Sequence, residues 1–249
     1  AGSIAVIFGG PGFPAAGDLD LALVATVHVR IHGAAADDTI GVEMEIADID
    51  GDGVGDLLFS SNSDFNGRAN SGSVHVLFGG SNFPFGDDGG PAGAPAVPSP
   101  PLQLDLAQPG STHLRWDGAG ADDLVGNHAI SSGDIDGDGV RDVLMGANAD
   151  FNGRVDSGSV YVVFGGRGIG RGVRDLAGPA SFDVRYDGAA AGVGLTVGFS
   201  GRNAGDVRGD GFADLALVAT GSDNNGRADS GSVFVLHGGP GIPTGIRDL

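Results

Sequence analysis

Asp134-Ile-Asp-Gly-Asp-Gly-Val-Arg-Asp142 and, sixteen residues after its first aspartate, Asp150-Phe-Asn-Gly-Arg-Val-Asp-Ser-Gly-Ser-Val-Tyr-Val-Val-Phe-Gly-Gly166 decide how this chain folds. Both stretches recur. The acidic loop returns as Asp48-Ile-Asp-Gly-Asp-Gly-Val-Gly-Asp56 and Asp206-Val-Arg-Gly-Asp-Gly-Phe-Ala-Asp214. The longer run returns at Asp64–Gly80 and Asp223–Gly239, and a truncated copy, Gly2–Gly10, opens the chain. The offset from loop to run is 16, 16 and 17 residues. A fixed offset between two unlike motifs is the mark of a repeated supersecondary unit.

Each unit reads as four short strands. One precedes the acidic loop, at about 41–47, 127–133 and 197–204. The second follows it, at Asp56–Ser60, Asp142–Met145 and Asp214–Val218. The third is the Gly-Ser-Val-x-Val-x-Phe run, where alternating Val74, Val76 and Phe78 bury one strand face. The fourth covers about 22–31, 111–117 and 181–187. Asn-Gly in each copy marks a tight bend before the third strand. The expected fold is all-β, with β-propeller-type, four-stranded antiparallel blades. About three blades fit in one domain over 1–249, with repeats near 22–80, 102–166 and 167–239. Some thirteen strands are too few for a seven-bladed ring, so the blades are expected to be incomplete or completed by neighbouring copies. Residues 81–101, rich in Pro and Gly, read as a surface insertion.

The acidic loops carry the chemistry. Asp48, Asp50, Asp52 and Asp56 occupy loop positions 1, 3, 5 and 9, with the Val54 carbonyl available at position 7. Asp134, Asp136, Asp138, Asp142 and the Val140 carbonyl repeat the set. Four carboxylates in nine residues repel one another unless a cation sits among them, and an all-oxygen donor set suits Ca2+ better than zinc or magnesium. Two calcium sites are expected. In the third loop Arg208 replaces an aspartate, and its guanidinium is placed to pair with Asp206, Asp210 or Asp214, which argues against a third ion. An EF-hand needs a carboxylate at position 12, where Phe59, Met145 and Leu217 stand. Arg208-Gly209-Asp210 spells an adhesion tripeptide, but its aspartate belongs to the turn.

These motifs resemble the FG-GAP repeats of integrin α-type propellers and their bacterial relatives. The resemblance rests on the Phe-Gly-Gly ends at Phe8, Phe78 and Phe164, the D-x-D-G-D-G-x-x-D loops and the Asp-Leu-Leu or Asp-Val-Leu strands after them. It implies a propeller with calcium loops between the first two strands of a blade, and an extracellular or cell-surface role in recognition, cell adhesion or scaffolding.

Composition narrows the function further. The 249 residues hold 30 Asp, 2 Glu, 13 Arg and no Lys, for a net charge of −19. Such a chain does not bind nucleic acid through a basic surface, and it has no apolar stretch near the ~20 residues of a membrane span. Without cysteine it has no disulfide, zinc-thiolate site or cysteine nucleophile. Ala1 begins no signal peptide, consistent with a mature or trimmed product. The six histidines lack metal spacing, and there is no G-x-S-x-G or P-loop. Asp37-Asp38 and Asp122-Asp123 recur between units and so read as architecture. Trp116 and Tyr186, at matching positions, allow a lectin-like reading in which rim aromatics stack on sugars. The leading expectation is a non-enzymatic calcium-binding module whose partners are proteins or copies of itself. A glycan partner, or a propeller-based polysaccharide-active enzyme, is the alternative.

Overall fold

The computed structural model describes residues 2–8, 28–61, 67–80, 83, 102–127, 130–147, 153–197, 205–223 and 226–249. These residues form sixteen strands and no helix. In chain order the strands are β1 (Ser3–Val6), β2 (Val29–His32), β3 (Met44–Ala47), β4 (Asp56–Ser61), β5 (Ser73–Leu77), β6 (Leu102–Asp105), β7 (Leu114–Asp117) and β8 (Ile130–Gly133). Then come β9 (Asp142–Ala147), β10 (Ser159–Val163), β11 (Gly172–Asp175), β12 (Val184–Asp187), β13 (Leu195–Val197), β14 (Leu215–Ala219), β15 (Ser232–Leu236) and β16 (Gly245–Asp248). The strand expected over 22–31 is seen as Val29–His32, and that over 197–204 as Leu195–Val197. Residues 22–27 and 198–204 lie outside the described residues, as does the 81–101 insertion apart from Phe83.

Four sheets result. Sheet I is β1-β2-β6, sheet II β3-β4-β5-β7-β11, sheet III β8-β9-β10-β12-β16 and sheet IV β13-β14-β15. Sheets II and III each contain the four antiparallel strands expected of a blade. To these the structure adds a fifth, parallel strand: β11 beside β7, β16 beside β12, and likewise β6 beside β2. The fifth strand comes from the next unit. After β10 the chain reaches back to sheet II as β11, then returns to lay down β12 in sheet III. Parallel neighbours require such a crossover, and here it ties consecutive sheets together.

Sheets stack face to face through three apolar layers. Phe59 and Leu77 point to sheet I, with Ile4, Val29 and Ile31. Leu58, Val74, Val76 and Trp116 point to sheet III, with Val143, Met145 and Tyr161. Leu144, Val160, Val162 and Val184 point on to sheet IV, with Leu215 and Leu217. The third strand is therefore buried on both faces rather than on one: all five residues of β5 and of β10 are inside. A strand sandwiched between two layers needs apolar or satisfied side chains on both faces. His75 meets that need by stacking on Phe59, ring centroids 5.1 Å apart and planes 8° from parallel.

Candidate metal-binding loops

Each acidic loop connects the first two strands of a sheet, and its own side chains fold it. Asp48 accepts hydrogen bonds from the amides of Gly51 (2.8 Å), Asp52 (3.2 Å) and Gly53 (2.9 Å). Asp134 receives Gly137 (2.8 Å) and Gly139 (3.0 Å) in the same way. The bend needs left-handed backbone at Gly53 (φ 90°), where a side chain would meet open space. Glycine is there for its φ and not for lack of room.

Position 9 does something else. Asp56 is fully buried and accepts from Ile49 N (2.9 Å) at the start of the loop and from Gly79 N (2.8 Å) at the Phe-Gly-Gly end of β5. Asp142 accepts from Ile135 N (2.7 Å) and Gly165 N (2.9 Å), and Asp214 from Val207 N (2.8 Å) and Gly238 N (3.0 Å). A Cβ on Gly79 would lie 2.3 Å from the Gly55 carbonyl oxygen, so only glycine lets the strand end close on the loop. The two motifs that keep a fixed distance in sequence are thus joined in space by one buried carboxylate. Nothing in the aspartate spacing separates this clamp from its neighbours. Its recurrence in the Arg208-bearing loop was the available clue.

Carboxylate oxygens of Asp48, Asp50 and Asp56 lie within 4.8 Å of one another, as do those of Asp134, Asp136 and Asp138. Asp52 and Asp142 are outside these groupings. Asp52 accepts from Val54 N (2.6 Å), and Asp138 from Val140 N (2.7 Å). Burial, then the nearby carboxylates, push Asp50 and Asp136 above the ordinary aspartate range, Asp50 feeling Asp52 most and Asp136 feeling Asp138. Burial raises Asp56 to about 6 and Asp142 to about 7, against the pull of their backbone amides. Oxygen-only donors converging where negative charge is costly suit a hard divalent cation. In the third loop Arg208 pairs with Asp210 at 3.4 Å, one of its three expected partners, while Asp206 keeps the turn through Gly209 N (2.6 Å) and Gly211 N (2.7 Å). The guanidinium brings a positive charge to the loop in place of the missing acid.

The loops also hook sheet to sheet. Gly166 N donates to Ile49 O (2.8 Å), and Gly239 N to Ile135 O (2.7 Å). The position-7 side chain of each later loop lies over the preceding loop: Val140 over Gly51 and Phe212 over Gly137.

Other candidate residues prove structural. Trp116 is buried and its indole N–H donates to Ser181 O (3.1 Å), and Tyr186 is buried as well. The rim-aromatic reading fails on this burial, because neither ring face is open to a sugar. Asp38 accepts from Ala34 N (2.7 Å) and the Ser61 hydroxyl (2.8 Å), and Asp123 from Gly120 N (2.5 Å). Both are buried turn formers. His113 and His28 accept the amides of Phe78 (2.8 Å) and Phe8 (2.9 Å), as Asp183 accepts that of Phe164 (2.8 Å).

Repeated, face-stacked antiparallel sheets with acidic loops between their first two strands define a β-propeller-type protein. Within that class, residues 126–163 match the family model of the FG-GAP repeat, so the chain carries this repeat. The match spans β8, β9 and β10 and the whole second acidic loop. No curated protein matches the chain. Among the described residues no helix is long and apolar enough to cross a membrane.

Proposed function

We propose that this chain is a single extracellular or cell-surface domain that is stabilised by calcium, binds or assembles with protein partners and catalyses no reaction. Asp48, Asp50, Asp52 and Asp56 with the Val54 carbonyl would hold one ion. Asp134, Asp136, Asp138 and Asp142 with the Val140 carbonyl would hold a second. The observation that carries this reading is the pair of oxygen clusters within 4.8 Å on loops already folded by their own amide bonds. Bound calcium would offset the burial and the carboxylate repulsion that raise Asp50 and Asp136 and would lock the connection between first and second strands. Its role is structural. The recurring Asp38 and Asp123 serve turns, accepting from backbone amides and, at Asp38, from the Ser61 hydroxyl, which supports an architectural reading of these acids.

The test is thermal melting in excess chelator and in millimolar calcium. Binding at about 100 times Kd adds about 2.7 kcal/mol per site, so calcium should raise Tm by several degrees. Asp50→Ala with Asp136→Ala should abolish the increment. Identical melting curves with and without calcium would overturn the assignment.

A further inference from the structure

The first two acidic loops are spelled almost alike but lie beside different charges. Each is passed by the segment that carries the chain back to the fifth strand of the same sheet. For the first loop this is Gly166-Arg-Gly-Ile-Gly-Arg-Gly172. Gly166 N donates to Ile49 O (2.8 Å) inside the loop, and Gly172 N donates to His113 O (2.8 Å). For the second loop it is Gly239-Pro-Gly-Ile-Pro-Thr-Gly245. Gly239 N donates to Ile135 O (2.7 Å), and Gly245 N to Asp183 O (2.8 Å). The segments are equally long and anchored at the same two places, so Arg171 and Thr244 are counterparts, as are His113 and Asp183.

Both counterparts change the charge beside the loop. Arg171 is held with its guanidinium carbon 5.1 Å from the centroid of the Phe78 ring. It makes no ion pair among the described residues, so no acid cancels its charge at contact distance. Thr244 has no charge. The amide of Phe78 is accepted by an imidazole nitrogen of His113, whereas that of the equivalent Phe164 is accepted by the Asp183 carboxylate (2.8 Å each). Burial and the loop's own acids raise both Asp50 and Asp136. To these Arg171 adds a downward pull on Asp50, and Asp183 an upward push on Asp136. The other arginines nearby have their own partners. Arg141 pairs with Glu45 (3.7 Å) and Arg208 with Asp210 (3.4 Å). Arg174, which also feels Asp183, lies over the Trp116 ring at 5.7 Å.

We propose that Arg171 and Asp183, two residues outside the loops, make the calcium sites unequal: the second loop, beside Asp183, fills first, and the first loop, beside Arg171, fills only at higher calcium. This rests on the calcium reading above and orders its two sites. A divalent ion feels each neighbouring unit charge twice over, so a cation beside one loop and an anion beside the other separate the affinities even though the ligand sets match. The first site then responds to calcium in a range where the second is already full. What responds is the contact between sheets II and III, because the segment that carries Arg171 is the one that ties them together.

The test is calcium titration of the intact chain by isothermal calorimetry at low salt. The wild type should bind two ions with Kd values that differ on the order of tenfold. Asp50→Ala should remove the weaker site and Asp136→Ala the tighter, which assigns them. Arg171→Thr, which gives the first loop the neighbour that the second has, should tighten the weaker site roughly fivefold and leave the tighter one where it was. Thr244→Arg should loosen the tighter site, and so should Asp183→His, which keeps an acceptor for the Phe164 amide. Positions 171 and 244 are exposed, so these two substitutions disturb no packing. Added salt should narrow the gap between the sites. Two sites of equal affinity, a tighter site that Asp50→Ala removes, or an unchanged titration in Arg171→Thr overturns the ordering while calcium binding itself stands. A titration with no binding overturns the calcium reading and the ordering together.

Discussion

At position 9 of the acidic loop a single carboxylate joins two motifs, and this sets what its loss should do. Asp56→Ala takes from the amides of Ile49 and Gly79 their fully buried acceptor, at a cost of roughly 2–4 kcal/mol. Asp52→Ala removes an exposed turn acceptor and should cost under about 1 kcal/mol without calcium. Urea unfolding in chelator compares them directly, and equal losses would refute the clamp. His75 offers a second test at this scale. Burial, with Arg115 nearby, holds its imidazole down to about 3 from an ordinary 6.5. The unfolded chain takes up a proton below about pH 6.5 that the folded chain refuses. Stability from this group is therefore complete above that pH and declines as pH falls toward 3. His75→Phe, which keeps the stack on Phe59, should flatten the difference in urea midpoint between pH 6.5 and 4 relative to wild type. The packing role of His75 was legible in the sequence, because Tyr161 stands at the same place in the next copy. The special duty of Asp56 was not, because it is spelled like the other aspartates of its loop.

Among elements, the fifth strand is what the sequence concealed. Leu102-Gln-Leu-Asp105 and Gly172-Val-Arg-Asp175 are four residues long, polar at alternate places and partly exposed, so neither has the β-branched run that betrays a buried strand. Their place is decided by a parallel partner far away in the chain and, for Gly172–Asp175, by Arg68, which donates to Asp175 through both terminal nitrogens. Arg154 holds Asp248 of β16 in the same way, and because this pair is so exposed a double-mutant cycle on the two residues should give a small coupling that shrinks with added salt. The third strands were the easiest to read and are the most deeply placed. β5 and β10, inside on both faces, should show the slowest amide exchange of the molecule. β15, whose residues are at best half-buried, should exchange faster than either. Uniform exchange across the three third strands would contradict the layered arrangement.

For the whole molecule, stability resides in three apolar layers shared between consecutive sheets, so no sheet buries its faces alone. Trp116, the single tryptophan, lies in the middle layer and reports on it. Trp116→Ala should cost about 3–5 kcal/mol, read by circular dichroism, through the cavity it opens and the Ser181 carbonyl it strands. The all-β class, the repeating unit, the three acidic loops and the consequence of Arg208 all follow from the sequence alone. Strand alternation and clustered like charge are local properties, legible wherever they occur. Only the tertiary structure decided which sheet each segment joins, that one loop aspartate is a clamp, and that Trp116 and Tyr186 are interior. Those outcomes depend on hydrogen bonds and apolar contacts between residues tens of positions apart, and sequence spacing along one chain carries no record of such pairings.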